Sequence, residues 1–188
     1  NFGGEAIMTS DKHQSGTDRI AEAAKELKLD SDTVVINIQG DEPFINPADI
    51  KLLGACFTRE HTKIATLVKK IKDVETLINP DIPKVVLGVN NQALYFSREV
   101  IPHIRSVDKS DWLSKKDFYQ HIGIYAFRYS ILAKIAQLSS TPLEQLEGLE
   151  QLRWLENGYT IHTAEITSEC IAVDRPEDLK RIDEKFFS

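Results

Sequence analysis

Cysteine is scarce in this 188-residue chain: Cys56 and Cys170 are far apart, and each lies inside an apolar pattern. Two such residues build neither a disulfide framework nor a Cys/His metal motif, and they read as buried thiols of a reducing cytosol. A membrane-spanning run of about 20 apolar residues is also missing. The amino terminus, NFGGEAIMTSDKHQSG, has neither a basic start nor an apolar secretory core. Basic excess is absent too, with 23 Lys and Arg against 29 Asp and Glu and a net charge of −6. This balance argues against a nucleic-acid backbone or an anionic membrane as partner, and an anionic small molecule would need a local Lys/Arg cluster or a metal ion. The chain contains no GxSxG, no HExxH and no P-loop. Nucleophilic catalysis therefore has no candidate constellation, which leaves direct displacement with metal assistance as the better fit. There is no repeat, low-complexity tract or internal linker. The first residue is not Met, and FGGEAIMT opens in mid-pattern, so we expect further residues upstream.

What is present alternates between helical and strand periodicity. Ile20, Ala21, Ala24 and Leu27 recur at helical spacing behind HQSGTDR, where Ser15 or Thr17 can cap the start. TVVINI (33–38) is apolar on both faces apart from Asn37, as suits the centre of a mostly parallel sheet. Asn46-Pro47 opens a helix with Ile50, Leu53 and Phe57 inward, and KIATLVKKI (63–71) is a strand. KVVLGV and QALYFSR flank Asn90-Asn91, a turn that tolerates positive φ, so a hairpin is predicted. The polar stretch 105–117 reads as a mobile loop, HIGIYAFR (121–128) as a strand and SILAKIAQL (130–138) as a helix. Thr141, Pro142 and Glu144 form a capping-box signature. Leu143, Leu146, Leu149, Leu152 and Leu155 mark the buried side of the helix that follows, up to Asn157-Gly158. Strand YTIHTAEI and a short helix opened by Pro176 complete one α/β domain over 1–188, a Rossmann-like sheet flanked by helices and carrying a hairpin excursion.

Several polar groups stand where such a sheet does chemistry. Asp41 follows a strand and a glycine in QGDEP, beyond a carboxyl end where open sheets bind ligands. A carboxylate there suits Mg²⁺, which takes one or two protein carboxylates and leaves the rest to water and phosphate; it equally suits a helix-entry loop bonding nearby amides. Asp174 in VDRPEDL sits one position too early to cap the next helix, so it is either free for a metal or a solvated strand-end charge. Ser15, Gly16 and Thr17 offer amides and hydroxyls to a nucleotide, or form only a helix cap; Arg19 adds a cation, or an ion pair with Asp18 or Glu22. His121 and Tyr125 share a strand face, with Gly123 between them clearing space, although such a pair also reads as packed core. Arg98 suits bidentate carboxylate recognition or a plain surface position, and Glu150 and Gln151 flank the leucine stripe, where polar residues usually face solvent.

Taken in order, HQSGTDR, NIQGDEP, ALYFSR, HIGIYAFR, PLEQLEGLEQLR and VDRPEDL resemble the 3-deoxy-manno-octulosonate (Kdo) cytidylyltransferase family over nearly the whole chain. The resemblance implies a nucleotide-diphospho-sugar transferase type of fold, a cytoplasmic homodimer, and the Mg²⁺-dependent reaction of CTP with Kdo to CMP-Kdo and diphosphate in lipopolysaccharide synthesis. By position it implies Asp41 and Asp174 as the Mg²⁺ ligands. Gln39, Arg98, His121, Tyr125, Glu150 and Gln151 resemble the Kdo-contacting set, and Ser15, Gly16, Thr17 and Arg19 part of the CTP surface. The sequence departs from the family at Arg175, where Thr is common, and in having no counterpart of the basic triphosphate loop PAR-x-x-S-x-R-L-P-x-K. Two rivals stay open at this point: activation of another acidic sugar such as a sialic acid, and a non-catalytic binding or dimerisation module.

Overall fold

The computed structural model describes residues 3–13, 15–40 and 45–168. The first helix, α1 (Gly16–Glu26), begins at Ser15, whose hydroxyl accepts the Asp18 N–H at 3.2 Å. Its Ile20, Ala21 and Ala24 pack inward, whereas Leu27 lies past the helix end and is exposed. Strand β1 (Val34–Asn37) leads toward α2 (Pro47–Ala55), which Asn46 caps through the Ala48 N–H with proline in the first turn. Then follow β2 (Ile64–Lys70), a short α3 (Val74–Ile78), and a hairpin of β3 (Lys84–Leu87) and β4 (Ala93–Ser97). The hairpin turns at Asn91, the expected left-handed residue, with φ of 54°. After α4 (Trp112–Lys115) come β5 (Tyr119–Arg128), α5 (Tyr129–Ile135), α6 (Pro142–Glu147), α7 (Gln151–Glu156) and β6 (Ile161–Ile166).

The six described strands form one sheet in the order β4-β3-β5-β2-β6, with β1 paired to β5. The expectation of a mostly parallel sheet holds for direction but not for pairing. β1, β2, β3 and β6 run one way, and β4 and β5 run the other. Because β5 is inserted at the centre, β2 with β6 is the one parallel pair among the described strands. One edge of β5 is shared: β3 takes its start at Tyr119–Gln120, and β1 takes its end at Tyr125–Arg128. Between those segments the register with β2 shifts at Thr66/Leu67, which accommodates two extra residues, Gly123 and Ile124. The far end of the hairpin bends back to the other edge, where Gln92 bridges His162.

Alternation along β5 divides the core. Tyr125 and Phe127 face a cluster with Ala24 of α1, Leu132 of α5, Trp154 of α7 and Phe96 of the hairpin. Ile122, Ile124 and Ala126 face Leu53 and Phe57 beside α2. Two local expectations change. The stretch 105–117 is not a free polar loop: it contains a 3-10 turn and α4, and Trp112 is buried, stacking on Phe118 at 5.9 Å. The leucine-striped helix is two helices. Gly148 adopts φ of +61°, which ends α6 and redirects the chain, so Leu146 is 83% exposed while Leu149 and Leu152 are buried. Cys56 is half-buried against the α2 cluster, and burial pushes its thiol pKa up; Cys170 lies outside the described residues.

Candidate active site

The break at Gly148 is what builds the site. It turns Glu150 and Gln151, at the start of α7, toward the amino terminus of α1, and the Thr17 hydroxyl donates to Glu150 Oε2 at 2.7 Å. Burial raises the Glu150 pKa, and the Thr17 and Ser15 hydroxyls only partly oppose the shift. Gln151 is 5% exposed, so the common expectation that polar residues beside a leucine stripe face solvent does not hold here. A cavity of about 550 Å³ runs along this corner, lined in part by Ser15, Asp18, Gly148, Glu150 and Arg153.

On β5 the His121 and Tyr125 rings lie 5.2 Å apart, as the shared strand face requires. Gly123 is exposed, and a Cβ there would meet nothing within 4 Å, so the strand is open between them. Thr66 Oγ1 lies 2.9 Å from the Ile124 carbonyl and 3.1 Å from His121 Nε2. With the hydroxyl proton given to a carbonyl, its lone pair accepts from His121 Nε2–H, which assigns the tautomer. Burial pushes the His121 pKa down to about 3, so the ring is neutral at physiological pH. Tyr125 is held well above the ordinary phenol range, first by burial and then by the negative charge of Glu150. Three buried polar atoms here have no well-formed hydrogen bond: Tyr125 Oη, which lies beside the Thr66 hydroxyl, Glu150 Oε1, which has Arg153 Nη2 at 4.0 Å, and Gln151 Nε2. Four more such atoms stand among the described residues, Thr62 Oγ1, Thr141 Oγ1, Trp154 Nε1 and His162 Nδ1; Tyr125 and the adjacent Glu150 and Gln151 are the group whose open bonding a ligand at this corner can complete.

The remaining expected residues distribute as follows. Arg98 ends β4 with Nε donating to the Glu147 carbonyl at 2.7 Å and Nη1 to the Pro80 carbonyl at 3.1 Å; its Nη2 lies 3.5 Å from the Gly148 carbonyl. Its guanidinium therefore braces the α6–α7 turn, with two of its five N–H donors left over. Gln39 is exposed just past β1. Arg19 donates to the Thr9 hydroxyl and the Ser10 carbonyl rather than pairing with Asp18 or Glu22. Gly16 sits over Asn37, whose Nδ2 would lie 3.6 Å from a Cβ at that position. Asp41 and Asp174, the expected metal ligands, and Arg175 lie outside the described residues. Among the described residues no group of three or more His, Cys, Asp or Glu is placed to hold a metal ion.

Sequence reasoning passed over Thr66, Lys84 and Arg153. Arg153 grips Glu144 through both Nε and Nη2, which holds α7 to α6. Lys84 is fully buried. A signal existed for Thr66, a hydroxyl in the middle of an apolar strand; for Lys84 there was none, because its partners are backbone carbonyls.

The fold is of the nucleotide-sugar transferase type. A solved putative glucose-1-phosphate thymidylyltransferase from Bacillus anthracis shares this fold, with a TM-score of 0.56 at 17% identity over 93% of this chain and 62% of that one. The family model described as Cytidylyltransferase matches residues 1–166, and the chain belongs to that family. A 3-deoxy-manno-octulosonate cytidylyltransferase of Cytophaga hutchinsonii is 52% identical over 96% of this chain and 72% of its own length. That of Parabacteroides distasonis is 50% identical over 96% and 73%. A solved CMP:2-keto-3-deoxy-manno-octonic acid synthetase, complexed with CTP, matches with a TM-score of 0.84 and 39% identity over 97% of this chain and 72% of that chain.

Proposed function

We infer that this protein transfers a cytidylyl group from CTP to the anomeric hydroxyl of Kdo, giving CMP-Kdo and diphosphate for lipopolysaccharide synthesis. The relatives' shared activity supports the reading. The observation that carries it in this chain is the set of buried polar atoms without well-formed hydrogen bonds on Tyr125, Glu150 and Gln151. A polyhydroxylated acid offers the donors and acceptors such a wall lacks.

The sugar hydroxyl attacks the α-phosphorus of CTP in line, its oxygen forming the new P–O bond and its proton passing to solvent, as diphosphate leaves with the electron pair of the broken bond. The chain's task is positioning, which makes the bimolecular encounter effectively intramolecular. Neutral His121 and un-ionised Tyr125 hold sugar hydroxyls without adding charge. Glu150, fixed by Thr17, links the sugar wall to the start of α1, where Ser15, Gly16 and Thr17 face the nucleotide and Arg19 adds charge. Gln39, Arg98 and Gln151 complete the sugar contacts. Asp41 and Asp174 would hold Mg²⁺, which when bound neutralises phosphate charge and favours ionisation of the attacking hydroxyl. We further infer a cytoplasmic homodimer; the apolar, exposed Val89 and Leu94 of the hairpin support a second copy, and light scattering tests it.

Full-length protein incubated with CTP, Kdo and Mg²⁺ should release diphosphate. Folded protein that releases none would refute the reading, and equal or faster turnover of a sialic acid would reassign the sugar.

A further inference from the structure

Lys84 is a lysine with no exposed surface, at the first residue of β3. Such burial is unusual for an ammonium unless it is well hydrogen-bonded. Its Nζ donates to the Asn79 carbonyl at 2.8 Å and to the Arg98 carbonyl. No carboxylate lies within ion-pair distance of it among the described residues, so the cation is held by backbone dipoles.

Two chain segments meet at this ammonium, and a third joins them through Arg98. The first is the turn 79–83, whose Pro83 carbonyl accepts the His121 N–H at 2.9 Å. The second is the end of β4, where the Ser97 hydroxyl and the Arg98 N–H donate to Glu147 Oε1 and Oε2 at 2.6 and 2.9 Å. The third is the α6–α7 turn, whose Glu147 and Gly148 carbonyls face the Arg98 guanidinium immediately before Glu150 and Gln151. His121, Arg98, Glu150 and Gln151 therefore all hang on segments tied directly or at one remove to one buried cation.

We propose that Lys84 is a positioning residue for the sugar acid: with Glu147 it sets the spacing of Arg98, His121, Glu150 and Gln151, without touching substrate. The inference rests on the Kdo-transferring reading given above. Its chemistry is specific to a buried ammonium. The carbonyls of Asn79 and Arg98 belong to different segments, and only a multidonor cation on a long stem draws both inward. The nucleotide half of the site, at the start of α1, meets this tie only at its far end, where the Thr17 hydroxyl donates to Glu150; the Ser15 cap of α1 lies outside it.

Steady-state kinetics on the full-length protein with the Lys84→Met variant, which keeps the stem and removes the donors, tests the proposal. The KM for Kdo should rise about tenfold or more while the KM for CTP stays within about twofold. Glu147→Gln, which acts from the other end of the tie and leaves Lys84 in place, should shift the same constant in the same direction. The double variant should lose no more than the worse single one, because both act through one network. A merely structural lysine would lower the melting midpoint and the amount of active enzyme while leaving both KM values of the active fraction unchanged. That result, or a parallel rise in both KM values, overturns the proposal. If Lys84→Met does not fold, Glu147→Gln decides alone, with an unchanged Kdo KM overturning it. Wild-type protein inactive on Kdo would instead refute the functional reading and this inference with it.

Discussion

Changing Tyr125 to Phe separates stability from function at a single atom. The ring lies edge-on to Trp154 at 5.0 Å and 83°, stacks with Phe127 at 5.9 Å and neighbours His121 at 5.2 Å. Phenylalanine keeps every one of these contacts, so the packing contribution cancels. What changes is the hydroxyl, which is buried beside the Thr66 hydroxyl without a well-formed hydrogen bond. Leaving such a group unsatisfied costs about 1–3 kcal/mol, so its removal should stabilise the free protein by about that amount. For a domain of this size a gain of 1 kcal/mol raises the melting midpoint by about 2–4 °C. Scanning calorimetry without substrate should therefore place Tyr125→Phe at least about 2 °C above the wild type.

Function should move the opposite way. A sugar hydroxyl that satisfies Tyr125 contributes about 0.5–1.5 kcal/mol of net binding, or about 2- to 12-fold in the KM for Kdo. The KM for CTP should not change. A midpoint lowered by several degrees would mean that the hydroxyl is partnered in the free protein. An unchanged KM for Kdo would remove Tyr125 from the sugar contacts and with it the meaning assigned to the orphaned wall.

Asp41→Asn should abolish diphosphate release while leaving the circular dichroism spectrum unchanged; near-normal turnover would take Asp41 out of the metal site. His121, with its pKa down from 6.5 to about 3 through burial, holds its proton less tightly when folded than when unfolded. Its contribution to stability is thus complete above pH 6.5 and is lost as pH falls toward 3; urea titrations across that window should show a shallower acid loss for His121→Asn than for the wild type. Glu150 has the reverse sign. Burial raises its pKa above 4.5, so the favourable protonated state is lost as pH rises through the folded value. Glu150→Gln should raise the melting midpoint at pH 7 relative to pH 4 while impairing turnover, and an equal midpoint difference at both pH values would refute this.

The strands were readable because burial leaves a period in the sequence: β5 shows Tyr125 and Phe127 on one face and Ile124 and Ala126 on the other. Strand direction leaves no such trace, which is why the antiparallel insertion of β5 went unforeseen. The helix break at Gly148 was hidden by five leucines at nearly helical spacing; a glycine inside such a pattern is usually tolerated, and only the left-handed φ shows that the chain turns. Trp112 was masked by the charged residues around it, although it packs with Phe118, Ile71 and Leu77 in a core of its own. Pattern picked out the site residues, Gln39 excepted, but left a plainer structural reading open for each, and their roles came from resemblance. Periodicity alone placed Glu150 and Gln151 in solvent, and it is the turn at Gly148 that brings them inward.

The charge arithmetic of the site then constrains how two anionic substrates are held. Beside the described wall, Arg153 is committed to Glu144 with Glu150 Oε1 4.0 Å away, Arg19 to Thr9 and Ser10, and Lys84 to two carbonyls. Arg98 has spent three donors on backbone carbonyls and keeps two, enough for one carboxylate and too few for a triphosphate as well. Glu150 stands on the same wall with a raised pKa, so any negative charge brought close raises the cost of its ionised form further. The wall is therefore suited to reading hydroxyls and one carboxylate, while phosphate charge must be balanced by groups that do not belong to it. A divalent cation on Asp41 and Asp174 would do so and turn two further acids from a repulsion into an anchor, the physical reason for an acidic protein to handle CTP and a sugar acid together.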